Sequence, residues 1–458
     1  MGHFNHRAFQ KSDTIAAIAT PPGEGAIAVI RISGPKAIEV ASIIFSGPVA
    51  SYKSHTAHLG QILAQDKTPI DSVLLLVMRA PRSYTGEETV EIHCHGGSIA
   101  PRRVLARILE AGARAAEPGE FSLQAFLNGK LDLAQAEAVQ LLIASKSELA
   151  LKAAEKQLQG KLSQKIKTVQ KALTDTAAIL EAWVDFPEEG LEFASLEELI
   201  QDLESSFNQM QALQKTFFDG KTIHEGLSLC LLGSPNVGKS SLMNALLGKD
   251  RAIVTDIPGT TRDLLEDELT LSGLHFRLID TAGIRETEEI VEKEGIRRSK
   301  KAMEDADLLL LVLDASREFT ESDNLLLETV PKEKTIVVWN KIDLKTPTTH
   351  LDWPHIAHIS AKENTGFETL KKTIDQVIWK KGPPSKEEIV ITQERHFKAL
   401  SNAIDALKAV IQGLKSNISP EFVSSDLRHA LNELGLIIGS NVTEDILTAI
   451  FSKFCLGK

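Results

Sequence analysis

Gly233-Ser234-Pro235-Asn236-Val237-Gly238-Lys239-Ser240 decides how the centre of this chain folds. It follows the apolar run Leu229-Cys230-Leu231-Leu232 and leads into Ser241-Leu242-Met243-Asn244-Ala245-Leu246-Leu247. Strand, glycine-framed loop and helix succeed one another with the G-x-x-x-x-G-K-S spacing of a phosphate-binding loop. In such a loop, backbone N–H groups and a helix N-terminus converge on an anion. Lys239 is placed to reach the terminal phosphates, and the Ser240 hydroxyl is a candidate Mg²⁺ ligand.

Four further segments follow in the order a GTPase requires. The polar stretch Thr255-Asp256-Ile257-Pro258-Gly259-Thr260-Thr261 offers a hydroxyl to complete a Mg²⁺ shell. Asp280-Thr281-Ala282-Gly283 follows the strand-like Leu274–Ile279; its Asp suits Mg²⁺ held through water and its Gly suits sensing of the terminal phosphate. Asn340-Lys341-Ile342-Asp343 follows Thr335–Trp339, and Ser360-Ala361-Lys362 follows Ile356–Ile359. Asp343 accounts for the base: a carboxylate accepts two donors from the guanine edge, where adenine presents an acceptor and a C–H. Ras-like enzymes place a water-orienting Gln just after the D-x-x-G glycine. Here that residue is Ile284, so either hydrolysis is very slow or another side chain orients the water. The loop from Arg285 to Glu294 carries Glu286, Glu288, Glu289, Glu292 and Glu294.

The whole chain sets bounds. Its 458 residues suffice for about two to four domains. Hydrophobic residues at 43% support ordinary globular cores. A formal net charge of −11 means that any nucleic-acid contact must use a local basic patch. Cys94, Cys230 and Cys455 are widely spaced, which is neither a disulfide framework nor a zinc pattern and suits a reducing, cytoplasmic setting. Met1–Ser12 has no apolar signal core, and position 6 lacks the Ser or Thr that myristoylation needs. The apolar run Leu308–Leu313 is too short to span a bilayer and reads as a buried strand, so no membrane is expected.

The expected fold is multidomain, α/β plus all-α. Residues 1–129 read as an α+β domain, with strands over Ala26–Ile32 and Ser72–Met78, a helix over Arg102–Glu110, and turns at Thr20–Gly23 and Pro118–Phe121. Leu158, Leu162, Ile166, Val169, Leu173, Ala177 and Leu180 recur at helical spacing and predict one face of a long helix. Pro187–Gly190 ends it, and a second helix is predicted through Leu196–Leu213. Phe397, Leu400, Ile404, Leu407, Ile411 and Leu414 form another stripe. Residues 130–225 and 383–458 are therefore expected to form one discontinuous helical domain, into which a Ras-like P-loop GTPase domain, residues 226–382, is inserted.

The P-loop form G-x-P-N-V-G-K-S-S-L resembles the Era-like GTPases. The ending Phe454-Cys455-Leu456-Gly457-Lys458 resembles the C-x-G-K terminus of the MnmE (TrmE) family of tRNA-modification GTPases, with Leu456 where Ile is usual. Ala19–Gly23, Arg31–Gly34, Tyr84–Glu87, His95–Gly97, Pro118–Ser122 and Ala125–Glu137 are similar to that family as well. The resemblance implies an N-terminal domain that binds tetrahydrofolate and dimerises. It implies a heterotetramer with the flavoprotein MnmG that adds an aminomethyl or carboxymethylaminomethyl group to the wobble uridine of certain tRNAs. The one-carbon unit comes from 5,10-methylene- or 5-formyl-tetrahydrofolate, and paired GTPase domains hydrolyse GTP in a K⁺-dependent way.

Position by position, the resemblance implies a GTP site comprising Asn236, Val237, Gly238, Lys239, Ser240, Ser241, Thr255–Thr261, Asp280–Gly283, Asn340, Lys341, Asp343, Ser360 and Ala361. It implies Mg²⁺ on Ser240 and Thr261, and K⁺ on Asn236, Thr255, Ile257 and Thr260. Glu292 matches the glutamate that positions water, which resolves the problem set by Ile284. Arg31, Glu91, Lys130 and Lys458 match folate-contacting positions, where cations suit a carboxylate tail. Cys455 is a candidate thiol nucleophile, although a small buried cysteine is the commoner case. The competing expectation is an Era-like ribosome-assembly GTPase that works as an RNA-binding switch. The N-terminal block and the C-x-G-K ending favour the first.

Overall fold

Alternation of apolar and polar residues builds the N-terminal sheet. Its strands are β1 (Ile15–Ile18), β2 (Ile27–Ser33), β3 (Thr56–Leu63), β4 (Pro69–Met78), β5 (Thr89–His95) and β6 (Arg114–Ala115), in the spatial order β3-β4-β5-β2-β1-β6. Only the short β1–β6 pair is parallel. One face, with Ile30, Ile32, Leu75, Val77 and Ile92, is buried under helices α1 (Ala37–Ile44) and α2 (Ala100–Glu110). The period of two sends Arg31 and Glu91, which are register partners, to the other face. The computed structural model describes residues 13–185, 195–250, 268–279 and 303–458, apart from 348, 350, 380, 381, 383, 386 and 387.

Helices follow: α3 (Glu120–Leu127), α4 (Leu133–Ala144), α5 (Glu148–Leu158), α6 (Lys161–Asp185), α7 (Leu196–Lys215) and α8 (Phe217–Glu225). The predicted long stripe needs a correction. Leu158 ends α5, Gly160 takes φ +78°, and α6 begins afresh at Lys161, so Leu158 does not continue the face that buries Leu162 to Leu180. Glycine reaches that left-handed conformation without a Cβ penalty, which is why the chain breaks there. Asp132 with Gln135, and Ser195 with Glu198, close capping boxes at the starts of α4 and α7. The break predicted at Pro187–Gly190 lies outside the described residues.

The second six-stranded sheet is made of β7 (Leu227–Leu232), β8 (Glu268–Leu271), β9 (Leu274–Ile279), β10 (Leu308–Asp314), β11 (Thr335–Asn340) and β12 (Ile356–His358). Its order is β12-β11-β10-β7-β9-β8, parallel throughout except for the β8–β9 pair. Every residue of β10 and β11 is buried, as continuous apolar strands with both faces covered require. Helices α9 (Lys239–Asp250), α10 (Glu321–Thr329) and α11 (Phe367–Ile378) belong to this unit.

The chain then returns through α12 (Glu394–Lys415), α13 (Pro420–Ile438) and α14 (Glu444–Phe451). Helices α6, α7, α12 and α13 share one core, including Leu173, Leu203, Leu407 and Leu427. Each such side chain, fully buried, contributes roughly 1.5–3 kcal/mol. Two helices lie apart from that bundle. Ala150 on α5 packs into the nucleotide-domain core, while Leu447, Ile450 and Phe451 on α14 pack with Leu123, Leu133 and Ala136 beside the N-terminal sheet. The helical segments are thus a bundle with one arm laid on each neighbour.

Candidate functional site

The phosphate-binding loop sits between β7 and α9, at the carboxyl edge of the parallel sheet. Gly233, Asn236 and Gly238 all have positive φ, at 145°, 63° and 97°. A Cβ on Gly238 would lie 2.2 Å from Asn340 Nδ2, and one on Gly233 would lie 2.4 Å from the Val312 carbonyl. The glycines are therefore needed for close approach as well as for backbone rotation. Lys239 Nζ arches back to donate to the carbonyls of Gly233 (2.7 Å) and Ser234 (2.9 Å). Burial lowers its pKa from the usual lysine value, and Asp323 partly opposes that.

The Asn340–Asp343 and Ser360–Lys362 segments are tied to this loop. Asn340 is buried; its Nδ2 donates to the Val237 carbonyl (2.9 Å) and its Oδ1 accepts from Ala361 N–H (3.0 Å). One side chain thus joins the phosphate loop, the end of β11 and the Ser360–Lys362 turn. Lys341 Nζ donates to the Asn236 carbonyl (2.8 Å) and to Asp314 Oδ2 (2.6 Å). Burial would raise the Asp314 carboxyl, but bonds from Lys341 and Ser316 outweigh it and hold it below the ordinary value. Ser360 Oγ accepts from Glu363 N–H (3.0 Å), which shapes the turn, and Asp343 is exposed at the mouth.

Sequence reading passed over Asp314 and Asp323. Asp314 closes an apolar strand, the position from which a polar residue reaches a site in a parallel sheet. Asp323 leaves no such signal: its role comes from Ser234 Oγ donating at 2.5 Å across 89 positions. Thr255–Thr261, Asp280–Gly283 and Glu292 lie outside the described residues.

A second constellation forms on the free face of the N-terminal sheet. Arg31 pairs with Glu91 (Nε–Oε1 2.9 Å, Nη2–Oε1 2.8 Å) and lies over the rings of Tyr84 and Phe121, 5.4 and 5.6 Å from their centroids. Arg31 Nη1 is buried and, among the described residues, has no hydrogen-bond partner. The C-terminus comes to this face. Gly119 N–H donates to the Cys455 carbonyl (3.5 Å), and a Cβ on Gly457 would lie 2.7 Å from the Ile18 carbonyl. Lys458 is half-buried; burial and Arg31 both lower its pKa, while Glu91 and Cys455 oppose them. Arg31, Glu91 and Lys458 therefore come together. Lys130 is held one loop away, where its Nζ donates to the Pro81 carbonyl (3.2 Å). Cys455 is exposed, unlike buried Cys94 and Cys230, so the expectation of a small buried cysteine does not hold for it. Tyr84 and Phe121 were visible in the sequence only as parts of longer segments.

A parallel sheet, its glycine-framed loop and the Asn340–Lys341 tether define a P-loop GTPase. Residues 14–130 match the family described as GTP-binding protein TrmE N-terminus, and residues 133–455 match the MnmE helical domain. The tRNA modification GTPase MnmE of Protochlamydia amoebophila is 61% identical over 99% of this chain and 100% of its own length. The protein of the same description from Chlamydia pneumoniae is 47% identical over 98% of this chain and 100% of its own length. Among solved structures, the G domain of the T. maritima FeoB iron transporter shares 30% identity over 33% of this chain and 99% of its own, with a TM-score of 0.26. The chain belongs to the MnmE family of tRNA modification GTPases. Among the described residues no helix is long and apolar enough to cross a membrane.

Proposed function

We propose that this chain is a K⁺-dependent GTPase that works with the flavoprotein MnmG to add an aminomethyl or carboxymethylaminomethyl group to the wobble uridine of certain tRNAs. The one-carbon unit is drawn from tetrahydrofolate. The observation that carries the reading is the return of Lys458 to Arg31 and Glu91, from which it lies hundreds of positions away in sequence. A cationic pair beside two aromatic rings fits a flat, conjugated ligand with a carboxylate tail, and the orphaned Arg31 Nη1 is a donor held ready for it. Bound tetrahydrofolate supplies the carbon; Arg31, Lys458 and Lys130 bind and orient it, and Glu91 holds Arg31 in place.

In the nucleotide site, Lys239 and the loop N–H groups bind phosphate, and Asp343 selects guanine. Ser240 and Thr261 would hold Mg²⁺. Asn236, which is exposed and has φ 63°, would hold K⁺ with Thr255, Ile257 and Thr260. Hard oxygen ligands suit both ions, whose charge offsets that on the transferring phosphoryl. Glu292 orients the attacking water where Ile284 has no polar atom. Homodimerisation through the N-terminal domain and a cytoplasmic setting complete the reading.

Single-turnover GTP hydrolysis tests it. The parent should turn over in K⁺ and poorly in Na⁺ at matched ionic strength. Glu292→Ala should bind GTP as before and hydrolyse it about 100-fold more slowly or worse, the scale of a positioned acid–base group. Equal rates in the two salts, or a variant at the parental rate, count against it.

A further inference from the structure

The charge of this chain is unevenly spread. Residues 146–171 hold seven lysines and two glutamates in a molecule whose formal net charge is −11. Three of those lysines are engaged. Lys146 pairs with Glu268 on β8 (2.5 Å), Lys152 pairs with Glu148 (3.2 Å), and Lys156 Nζ donates to the Glu388 carbonyl (2.9 Å). The other four, Lys161, Lys165, Lys167 and Lys171, lie on the first half of α6 and meet no carboxylate among the described residues.

Two of the four, Lys167 and Lys171, line a groove of about 460 Å³ at the start of α6, with Ser163, Gln164, Thr168 and Gln135. They are one helical turn apart, about 6 Å along the axis, so they form a row. The groove opens where Gly160 precedes α6, a helix of 25 residues whose N-terminal end carries unpaired N–H groups and the positive end of its dipole. Ser163 is only 2% exposed, and its Oγ has no hydrogen-bond partner among the described residues. An orphaned hydroxyl in such a place is costly unless something completes it. Asp132 also lines the groove, but its carboxylate is taken up in capping α4, where it accepts from Gln135 N–H (2.9 Å).

We propose that this groove binds the sugar–phosphate backbone of the substrate tRNA, an inference that rests on the substrate reading above. Two unpaired ammonium groups and a helix N-terminus provide for phosphate, and the amides and hydroxyls of Gln164, Thr168 and Ser163 provide for ribose 2′-hydroxyls. Apart from Gly160, every residue that lines the groove carries a polar or charged group, and the large exposed hydrophobic residues lie elsewhere, which favours RNA over a lipid surface. Such contacts position RNA without reading its sequence, so tRNAs differing in anticodon should share them.

The test is fluorescence anisotropy of the full-length protein with unmodified tRNA across a salt series. Lys167→Glu/Lys171→Glu should bind about 10-fold more weakly or worse, and the slope of log affinity against log salt should fall by about one per lysine lost. Lys167→Arg/Lys171→Arg should keep both affinity and slope, and GTP hydrolysis should be unchanged in each. Lys408→Glu/Lys398→Glu, with the same change in net charge on α12, should leave tRNA binding near the parental value. A glutamate pair on α6 that binds tRNA as the parent does overturns the groove alone. So does a control pair that loses as much, or binding of phosphatidylglycerol vesicles that depends on the same two lysines while tRNA binding does not. A parent that binds no tRNA overturns the substrate reading, and the groove falls with it.

Discussion

Two six-stranded sheets in one chain present their sites in opposite ways. In the parallel sheet, successive strands end at one edge, so the loops that follow them meet there whatever else the chain does. The glycine-framed loop and Ser360 each follow a strand of that one sheet, and Asn340 ends another. The mostly antiparallel N-terminal sheet has no such common edge. Its candidate site lies on a face, and a face must be covered from outside. The cover here is the end of the chain, delivered by α12, α13 and α14 over the whole length of the helical bundle. Among the described residues, one site draws only on its own domain; the other depends on the rest of the molecule remaining folded around it.

The sharpest way to break this contrast is through Glu137 on α4. Its carboxylate takes Arg395 at 3.0 and 2.8 Å and His396 Nε2 at 2.8 Å, and Arg395 also donates to the Leu436 carbonyl, so α4, α12 and α13 are locked together. Burial alone would raise the Glu137 carboxyl, but the charges and hydrogen bonds of His396 and Arg395 outweigh it and take it to about 2, from an ordinary 4.5. Glu137→Gln should cost about 3 kcal/mol, because it leaves the partly buried Arg395 guanidinium without its anion. In chemical denaturation the helical transition should move to lower denaturant. Binding of 5-formyltetrahydrofolate should weaken while GTP binding persists. Equal loss of both ligands would show that the two sites are not separable. Acid probes the same lock. The folded pKa lies below the unfolded one, so the stabilisation is fully present above pH 4.5 and is lost as pH falls towards about 2. Glu137→Gln should flatten that part of the stability–pH curve.

Gly238→Ala probes the other side of the comparison. The substitution combines a φ of 97° with a Cβ 2.2 Å from Asn340 Nδ2. Strain of about 1–2 kcal/mol from the backbone alone, with the clash added, predicts a loss of GTP affinity of roughly 30-fold or more. Fluorescent-nucleotide titration should find it, with folate binding unaltered. Loss of folate binding as well would mean that the parallel sheet is not self-sufficient.

The smallest expected effect is at Gly457. Its φ is 90° and a Cβ there would meet the Ile18 carbonyl at 2.7 Å, so Gly457→Ala should lift the tail from β1. Backbone strain of about 1–2 kcal/mol corresponds to a loss of folate affinity of about 10-fold, read by calorimetry, with GTP hydrolysis unchanged. Parental affinity would remove Lys458 from the pocket.

The grouping of the glycine-framed loop with Asn340 and Ala361 was legible because its motifs are written in contiguous words. Gly233–Ser240, Asn340–Asp343 and Ser360–Lys362 each carry their own strand and turn signals, and a parallel sheet needs nothing further to bring them together. The break at Gly160 was less visible, because the spacing from Leu158 to Leu162 suits an uninterrupted helix and a glycine's φ is not written in its neighbours. From sequence, Arg31, Glu91 and Lys458 could be grouped only by family resemblance. Residue types and periodicity placed Arg31 on a strand and Lys458 at the end of the sequence, and gave Glu91 no element. That they meet was decided by tertiary structure, through the cross-strand register of β2 and β5 and the packing of Leu447, Ile450 and Phe451 on Leu123 and Leu133. Local sequence determines local conformation and short-range hydrogen bonding. Contacts between distant segments exist only where buried apolar surface outweighs the entropy of closing the loop between them, and that balance belongs to the whole fold.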